Sequence, residues 1–296
     1  VFTASTHDYI LFFTNLGRAY RKKGYLIPEA GRQARGTNIV NILPLQPGER
    51  VQAMIRLAEI EEREDSFLVF VTRNGTAKRM HLSELSNIRN TGIRAINLDE
   101  GDELISVRLT DGSCKILIAT HDGMAICFDE NDLRPMGRSA AGVRGIRLRE
   151  GDYCVGAACT RGEGMVLTVT ENGYGKRTPV EEYLRGSENA EERTAQNRGG
   201  LGLKNYNITE KTGKVADVKI VGDDDDILVV TDDGTIIRMA AEEISVYGRA
   251  TQGVRLMRIG EEARVISVAI TEKEEDSAEE AGETAESGGS SPGSGA

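Results

Sequence analysis

The chain has 296 residues, 39% of them hydrophobic, and a formal net charge of -10 at pH 7. This length accommodates one large repeat domain or two ordinary domains, and the apolar content is enough to build a core. No apolar run approaches the length of a membrane span, and residues 1–13 lack the features of a secretory signal. We therefore expect a cytoplasmic protein without membrane contact. Because Val1 already lies in a strand-like segment, we interpret the chain as a fragment of a longer polypeptide.

The acidic charge is concentrated at one end. Residues 272–296 hold eight acidic residues and one base, so residues 1–271 carry a net charge of only -3. A nearly neutral domain can still present one strongly basic face, and the distribution of charge decides whether it binds nucleic acid. The acidic end is rich in Glu, Ser, Gly and Ala and has no strand pattern, which predicts a flexible tail.

Five copies of a strand-rich unit fill residues 1–271. Each copy has an apolar run, a glycine turn and an alternating strand, which is the pattern of a β-hairpin. The turn glycines are Gly17, Gly75, Gly123, Gly173 and Gly234. The approximate repeat boundaries are residues 1–58, 59–109, 110–160, 161–221 and 222–271.

Two further strands follow each hairpin, as in Leu104-Ile-Ser-Val near the end of the second repeat. Four strands in about 50 residues predict a propeller blade, because radial stacking buries both faces of each blade. We therefore expect an all-β, propeller-like domain of about five four-stranded blades with little helix. The fourth repeat is longer, and its polar residues 184–197 predict an exposed, mobile loop.

A second glycine in each repeat lies among basic residues. Two positions after it stand Asn38, Arg94, Arg144, Lys204 and Arg255, and near it on the other side stand Arg32, Arg89, Arg138, Arg198 and Arg249. Equivalent loops of radially repeated blades share one rim, so these side chains should form an arc of positive charge. Such an arc suits the phosphate backbone of bent DNA, contacted without base reading.

A structural alternative exists for these arginines. They could pair at blade junctions with the domain's own carboxylates, of which Asp99, Asp102, Asp152 and Glu261 are near in sequence. For a single arginine this alternative is as good as DNA contact. For the whole set it is weaker, because ion pairing does not require every repeat to place its base in the same loop.

Other reactive residue types point to packing. The cysteines Cys114, Cys127, Cys154 and Cys159 form no Cys-x-x-Cys pair, which favours buried, reduced thiols. The run Asp223 to Asp226 is expected to be a solvated turn before a strand, and Tyr174 and Tyr183 are expected to pack in the core or at the rim. No phosphate-binding loop and no catalytic triad pattern occurs, so we expect no catalysis from this stretch of chain.

Several segments resemble the C-terminal DNA-wrapping domain of the A subunit of DNA gyrase, a bacterial type IIA topoisomerase. They are Ala30-Gly-Arg-Gln-Ala-Arg-Gly-Thr-Asn-Ile-Val-Asn-Ile-Leu-Pro-Leu, Gly142-Val-Arg-Gly-Ile-Arg-Leu-Arg-Glu-Gly-Asp, Glu171-Asn-Gly-Tyr-Gly-Lys-Arg-Thr and Ile244-Ser-Val-Tyr-Gly-Arg-Ala-Thr-Gln-Gly-Val. The resemblance covers residues 1 to about 270. It implies a six-bladed β-pinwheel, in which neighbouring blades exchange a strand, and a basic rim that wraps DNA to support ATP-dependent negative supercoiling.

The chain departs from that family in two ways. The family's gyrase box, Gln-Arg-Arg-Gly-Gly-Lys-Gly, belongs to the first blade, and the chain is expected to begin just after it. The segment Gln196-Asn-Arg-Gly-Gly-Leu-Gly matches five of its seven positions, but in the fourth repeat. Five repeats instead of six also suggest that the first blade is truncated away, so that the ring could be open.

From the arc and the resemblance together, the candidate DNA contacts are Arg32, Arg35, Arg89, Arg94, Arg138, Arg144, Gln196, Arg198, Gly199, Gly200, Lys204, Arg249 and Arg255. The partners that the resemblance implies are double-stranded DNA, the B subunit of gyrase and the remainder of its A subunit. ATP and Mg are expected for the parent enzyme but bound elsewhere, so this chain should hold no cofactor. The acidic tail could tune wrapping by competing with phosphate, or act only as a solubilising segment.

Two alternatives stay open at this point. One is the related C-terminal domain of the topoisomerase IV A subunit, which captures DNA without wrapping it. The other is a propeller whose rim arginines bind the acidic surface of a protein partner.

Overall fold

The computed structural model describes residues 4–31, 33–58, 65–186 and 193–273. This part of the chain is built from strands and short 3-10 turns, as expected from the hairpin repeats, and contains no α-helix. The expected mobile loop falls partly, and the acidic tail almost wholly, outside the described residues. The strands are β1 (Tyr9–Thr14), β2 (Arg18–Lys23), β3 (Val51–Leu57), β4 (Phe67–Thr72), β5 (Thr76–His81), β6 (Ile93–Arg94), β7 (Leu104–Thr110), β8 (Lys115–Thr120), β9 (Met124–Asp129), β10 (Val143–Arg144), β11 (Cys154–Thr160), β12 (Met165–Thr170), β13 (Tyr174–Pro179), β14 (Leu203–Lys204), β15 (Val215–Val221), β16 (Asp225–Thr231), β17 (Ile236–Ala240), β18 (Val254–Arg255) and β19 (Val265–Glu272).

The 3-10 turns explain the short polar stretches that follow the hairpins. Five of them begin where the second hairpin strand ends, and one lies further along the first repeat. They span Gly24–Leu26, Ile39–Asn41, Leu82–Leu85, Glu130–Asp132, Val180–Tyr183 and Ala241–Glu243.

The sheets confirm the bladed architecture and show how the blades are joined. Their strand orders are β3-β1-β2-β6, β7-β4-β5-β10, β11-β8-β9-β14, β15-β12-β13-β18 and β19-β16-β17. In each of the first four blades three strands come from one repeat, and the fourth is a two-residue strand donated by the next repeat. The fifth blade has three strands within the described residues. This is the strand exchange that the family resemblance implied, and hairpin periodicity alone could not distinguish it from an ordinary propeller.

All five blades share one irregularity where the central strand pairs with the inner strand. Pairing of this strand with the inner strand shifts register near its end, for example between Val71 and Thr72 or between Val169 and Thr170. The extra residue of this bulge lies on the inner strand, and a bulge increases the local twist of the pair. The inner strands β3, β7, β11, β15 and β19 contact one another in chain order, so the donated strands lie at the outer perimeter.

The core lies between blades. One cluster joins Phe13 of the first blade with Phe70 of the second, whose rings meet edge to face at 5.7 Å. Three similar clusters join the second blade to the third, the third to the fourth, and the fourth to the fifth. Because each blade buries both faces, the hairpin strands have continuous buried runs, and this burial is the main stabilising term of the domain.

In the first four blades, the carbonyl of the turn glycine accepts hydrogen bonds from the residues that follow the donated strand. In the second blade, the carbonyl of Gly75 receives the N–H groups of Gly145 and Ile146 from the third repeat at 2.8 and 3.2 Å. Gly75 has a φ of +87°, and a Cβ there would lie 2.9 Å from the carbonyl oxygen of Ile146. Glycine is therefore required twice, by the turn and by the close approach of the next repeat. Gly234 in the fifth blade has the same φ of +87° but no atom within 4 Å of a Cβ.

This pair gives a matched test of the exchange contact. Gly75→Ala and Gly234→Ala carry the same backbone strain, but only Gly75→Ala collides with the backbone that follows a donated strand. We expect Gly75→Ala to lower the free energy of unfolding by roughly 1–3 kcal/mol more than Gly234→Ala does, the usual cost of overpacking. Chemical denaturation followed by circular dichroism measures both. Equal losses would contradict a tight contact at this turn.

Candidate nucleic-acid interface

The basic loops lie across the outer edge of the preceding blade. Three of the loops are anchored where they begin by a backbone bond to the second hairpin strand of that blade: Met136 to Arg79 (2.8 Å), Gln196 to Cys127 (2.7 Å) and Tyr247 to Arg177 (2.9 Å). Each loop ends in the donated strand, which pairs with the start of the same hairpin strand. We call residues 88–94, 135–144, 196–204 and 246–255 the basic rim.

Backbone bonds also tie neighbouring segments of the basic rim together. The N–H groups of Asn97, Arg147 and Asn207, which follow the donated strands, donate to the carbonyls of Ala140, Gly200 and Thr251 in the next loop. The N···O distances are 3.2, 2.8 and 3.0 Å. The loops therefore form one continuous band around the perimeter, which is the placement that the arc of charge required.

Two arginines repeat one contact along this band. Arg198 donates to the backbone carbonyl of Arg144 at 2.5 Å, and Arg249 donates to the carbonyl of Lys204 at 2.8 Å. In both cases the arginine before the second glycine reaches the basic residue of the preceding loop. Arg198 also donates through Nε to the carbonyl of Asp132 at 3.3 Å. A guanidinium has five N–H groups, so these bonds fix its position and still leave donors free for an anion.

The remaining cations of the basic rim are exposed. Arg89, Arg94, Arg138, Arg144, Lys204 and Arg255 all belong to this exposed set. Arg94 and Lys204 donate to the side-chain oxygens of Asn97 and Asn207, and Arg255 donates to the hydroxyl of Tyr174. Arg89, Arg94 and Arg138 come from two successive repeats and line one groove together with Arg21 of β2.

Among the described residues, no cation of the basic rim forms an ion pair with a carboxylate. Nearby carboxylates are engaged elsewhere: Asp102 accepts the N–H groups of Asn74 and Glu103, and Asp152 does the same in the next repeat. Ion pairs do use other arginines, such as Arg79 with Glu130 at 3.5 Å. The structural alternative thus describes hairpin arginines and not those of the basic rim.

The segment that partly matches the gyrase box forms the rim loop on the third blade. Gln196 is buried, and its Nε2 donates to the carbonyl of Tyr183 at 2.8 Å. The N–H of Gly199 donates to the carbonyl of Gly145 at 2.8 Å; Gly199 and Arg198 are half-buried, and Gly200 is exposed. Gln196 therefore holds the loop from below, while Arg198 and the two glycines reach the surface.

The first repeat has no preceding blade among the described residues, and its loop differs. Arg35 is exposed, and a Cβ on Gly36 would meet no atom within 4 Å. Asn38, at the position that carries a base in the other repeats, instead caps a 3-10 turn by accepting from the N–H of Val40. Arg32 lies outside the described residues.

The other reactive side chains serve the fold. All four cysteines are free thiols, and burial raises the pKa of Cys127 and Cys159 to about 12. Tyr174 and Tyr183 are buried, as expected. The acidic run does form a turn before a strand, but it is less solvated than expected, because Asp226 is buried beside Arg238.

Three basic residues at or beneath this surface were not predicted from the sequence. Arg21 lines the groove described above, and Lys78 and Lys176 lie buried beneath rim loops. The two lysines share one signal, since each stands three residues after its turn glycine. No helix among the described residues is long and apolar enough to cross a membrane.

Comparison with known proteins agrees with this geometry. The sequence model of the DNA gyrase C-terminal domain, beta-propeller, matches residues 8–58, 66–111, 115–161, 164–187, 194–222 and 225–272. The chain is similar to the DNA gyrase A subunit of Staphylococcus epidermidis, with 48% identity over 276 residues, and to that of Clostridium acetobutylicum, with 49% identity over 275 residues. Each alignment covers 93% of this chain but only 30% and 32% of these relatives.

Solved structures show the same fold. The C-terminal domain of DNA topoisomerase IV superposes with a TM-score of 0.78 at 27% identity, covering 90% of this chain and 80% of that one. The DNA gyrase A C-terminal domain superposes with a TM-score of 0.75 at 25% identity, covering 90% and 83%. The fold does not separate the two types, but the matched family model and these curated relatives favour gyrase over topoisomerase IV. The chain belongs to the DNA gyrase C-terminal domain family.

Proposed function

We propose that this chain is the DNA-wrapping module of a gyrase A subunit. The observation that carries the proposal is the continuous basic rim, whose cations come from successive repeats and have no carboxylate partner among the described residues. Duplex DNA carries one negative charge per about 1.7 Å of its axis, so a curved row of cations neutralises phosphates along a bent path. Contacts of this kind fix the path of the duplex without reading its sequence.

Bending is the energetic cost of wrapping. Smoothly bending 20–30 bp by 40–90° costs about 1–6 kcal/mol, which several arginine–phosphate contacts can offset. The basic rim favours arginine, whose planar fork pairs bidentately with phosphate. Its loops are fixed by backbone bonds to the blade below and to each other, so little conformational entropy is lost when DNA binds.

The chain spans about a third of the length of the curated relatives described above, so the activity of the whole protein is also a proposal. In the parent enzyme, wrapping would present a DNA crossing to the strand-passage core, which the B subunit forms with the remainder of the A subunit. ATP and Mg would act in those other parts of the enzyme. This chain would bind double-stranded DNA in the cytoplasm. The contribution of this chain is geometric, since it sets the sign of the crossing.

Length and salt dependence test the proposal directly. We expect gel-shift titrations to show tighter binding as the duplex is lengthened, because a longer duplex reaches more of the basic rim. If six to ten phosphates are contacted, affinity should fall by about 10³–10⁵ between 50 and 200 mM salt. Binding that is independent of length and insensitive to salt would contradict wrapping.

Charge reversal separates wrapping from binding of a protein partner. We expect replacement of Arg144, Arg198 and Arg255 by Glu to abolish length-dependent DNA binding with an unchanged melting temperature, because none of these side chains is buried in the core. A control with the same change in charge reverses Arg50, Arg161 and Lys214, which pair with carboxylates away from the basic rim. If both variants lose DNA affinity equally, the effect comes from net charge and not from the position of the arginines. Unchanged DNA binding with loss of a protein partner would support the protein-interaction alternative.

A further inference from the structure

Two lysines lie directly beneath loops of the basic rim. Lys78 of β5 and Lys176 of β13 are both 0% exposed, although lysine is one of the residues that proteins bury least often. Neither forms an ion pair with a carboxylate among the described residues. A buried ammonium without a counter-ion must be satisfied by other acceptors, because its desolvation is costly.

Backbone carbonyls of the basic rim, together with that of Ala95 just after β6, supply those acceptors. The Nζ of Lys176 lies 2.8 Å from the carbonyl oxygen of Gly248, 2.5 Å from that of Arg249 and 3.1 Å from that of Thr251. The Nζ of Lys78 lies 2.7, 3.0 and 3.1 Å from the carbonyl oxygens of Ala95, Arg138 and Ala140. Lys176 also lies 3.2 Å from the hydroxyl oxygen of Thr251. Three carbonyls thus surround the ammonium at each site, and each turn held in this way carries an arginine of the basic rim.

The blade itself does not require lysine at this position. The equivalent residue is Ile126 in the third blade, where Gly200 of the overlying loop packs close to its side chain, and Tyr20 in the first blade. Strand pairing is the same in the blades with lysine and in the blade with isoleucine. What the lysines add is a fixed shape of the turn above them.

We propose that Lys176 and Lys78 are positioning residues for DNA binding, which hold the turns carrying Arg249 and Arg138 so that these guanidinium groups face the phosphate backbone. The inference rests on the proposed function and deepens it, because it assigns part of the pre-organisation of the basic rim to two side chains that never touch DNA. An ordered turn presents its arginine without a further loss of entropy on binding.

The hydrogen bonds that hold these turns depend on pH, because the two lysines have lowered pKa values. Burial lowers the pKa of Lys176 to about 7 and that of Lys78 to about 8. Around Lys176, Glu182 favours the charged form and Arg249 and Lys204 oppose it, while the ring of Tyr206 lies 4.9 Å from Nζ. Glu84 favours the charged form of Lys78. A neutral amine has only two N–H groups, so raising the pH through about 7 to 8 removes one of the hydrogen bonds that the lysine donates at each site.

DNA binding should therefore weaken as these lysines lose their protons, and binding should in turn favour proton uptake. The ammonium predominates below the lowered pKa and is lost as the pH rises through it. Phosphate bound next to the turn adds negative charge and stabilises the ammonium, which by linkage couples DNA affinity to protonation. Arginine stays charged throughout this range and cannot produce such a dependence.

The test uses the full chain and a fluorescently labelled duplex of about one persistence length, roughly 150 bp. Lys176→Met removes the ammonium and keeps the volume. Lys219→Met is the matched control, since Lys219 of β15 loses the same charge but pairs with Asp217 at 3.0 Å, away from the basic rim. Affinity is measured against salt at pH 6.5 and against pH from 6.5 to 9.

For Lys176→Met we expect roughly 5- to 10-fold weaker binding at pH 6.5 and a salt slope smaller by about 1, the loss of one phosphate contact. The variant should also lose much of the decline in affinity that the unmodified chain shows between pH 6.5 and 9. Lys219→Met should match the unmodified chain. Unchanged affinity, salt slope and pH profile in Lys176→Met would overturn the inference.

Trypsin cleavage after Arg249 gives a readout that does not involve DNA. A released turn should be cut faster in Lys176→Met than in Lys219→Met, and equal rates would count against a positioning role. If Lys176→Met does not fold, Lys176→Gln and Lys78→Met are measured in the same way, with Arg138 as the cleavage site for the latter. Absence of length-dependent binding by the unmodified chain would refute the proposed function, whereas normal binding by the lysine variants would refute only this inference.

Discussion

Each of the second to fifth repeats donates two residues to the preceding blade, and this exchange fixes how the blades are connected. The donated strand closes the outer edge of a sheet, and the backbone that follows it bonds to the turn glycine of that sheet. The chain therefore cannot place a blade without also fixing the loop that runs along the blade's perimeter. In this way the same hydrogen bonds that connect the blades also set the path of the basic rim. Stability and function share one set of contacts, so strain at a donated strand should affect both.

Arginine and lysine are used in this domain in three physically distinct ways. Hairpin arginines such as Arg79 are buried against carboxylates, where they connect neighbouring elements. Rim arginines such as Arg198 are held by backbone carbonyls and keep donors available. Buried lysines such as Lys176 donate hydrogen bonds to backbone carbonyls of the rim loop above them. Net charge conceals this division, because an acidic chain with a pI near 5.1 carries a continuous cationic band.

Much of the fold could be predicted from the sequence, because hairpin turns and strand alternation are local signals. The donated strands could not be derived in this way, since two residues such as Val143–Arg144 are too few for any periodicity. Their exchange came only from resemblance to a known family. Gln196 was expected to contact DNA, yet the structure buries it, because the match to a motif does not report which side chains face inward. Lys78 and Lys176 lie beside arginine in strands of mixed composition and look like solvent-facing positions, but both faces of a blade are packed.

The central claim is that the basic rim bends the duplex that it binds. Energy transfer between fluorophores at the two ends of one duplex measures this most directly, because bending shortens the distance between the ends. The account predicts a large rise in transfer efficiency when the chain binds, and a loss of that rise when Arg144, Arg198 and Arg255 are reversed in charge. A duplex that binds with unchanged end-to-end distance would contradict it.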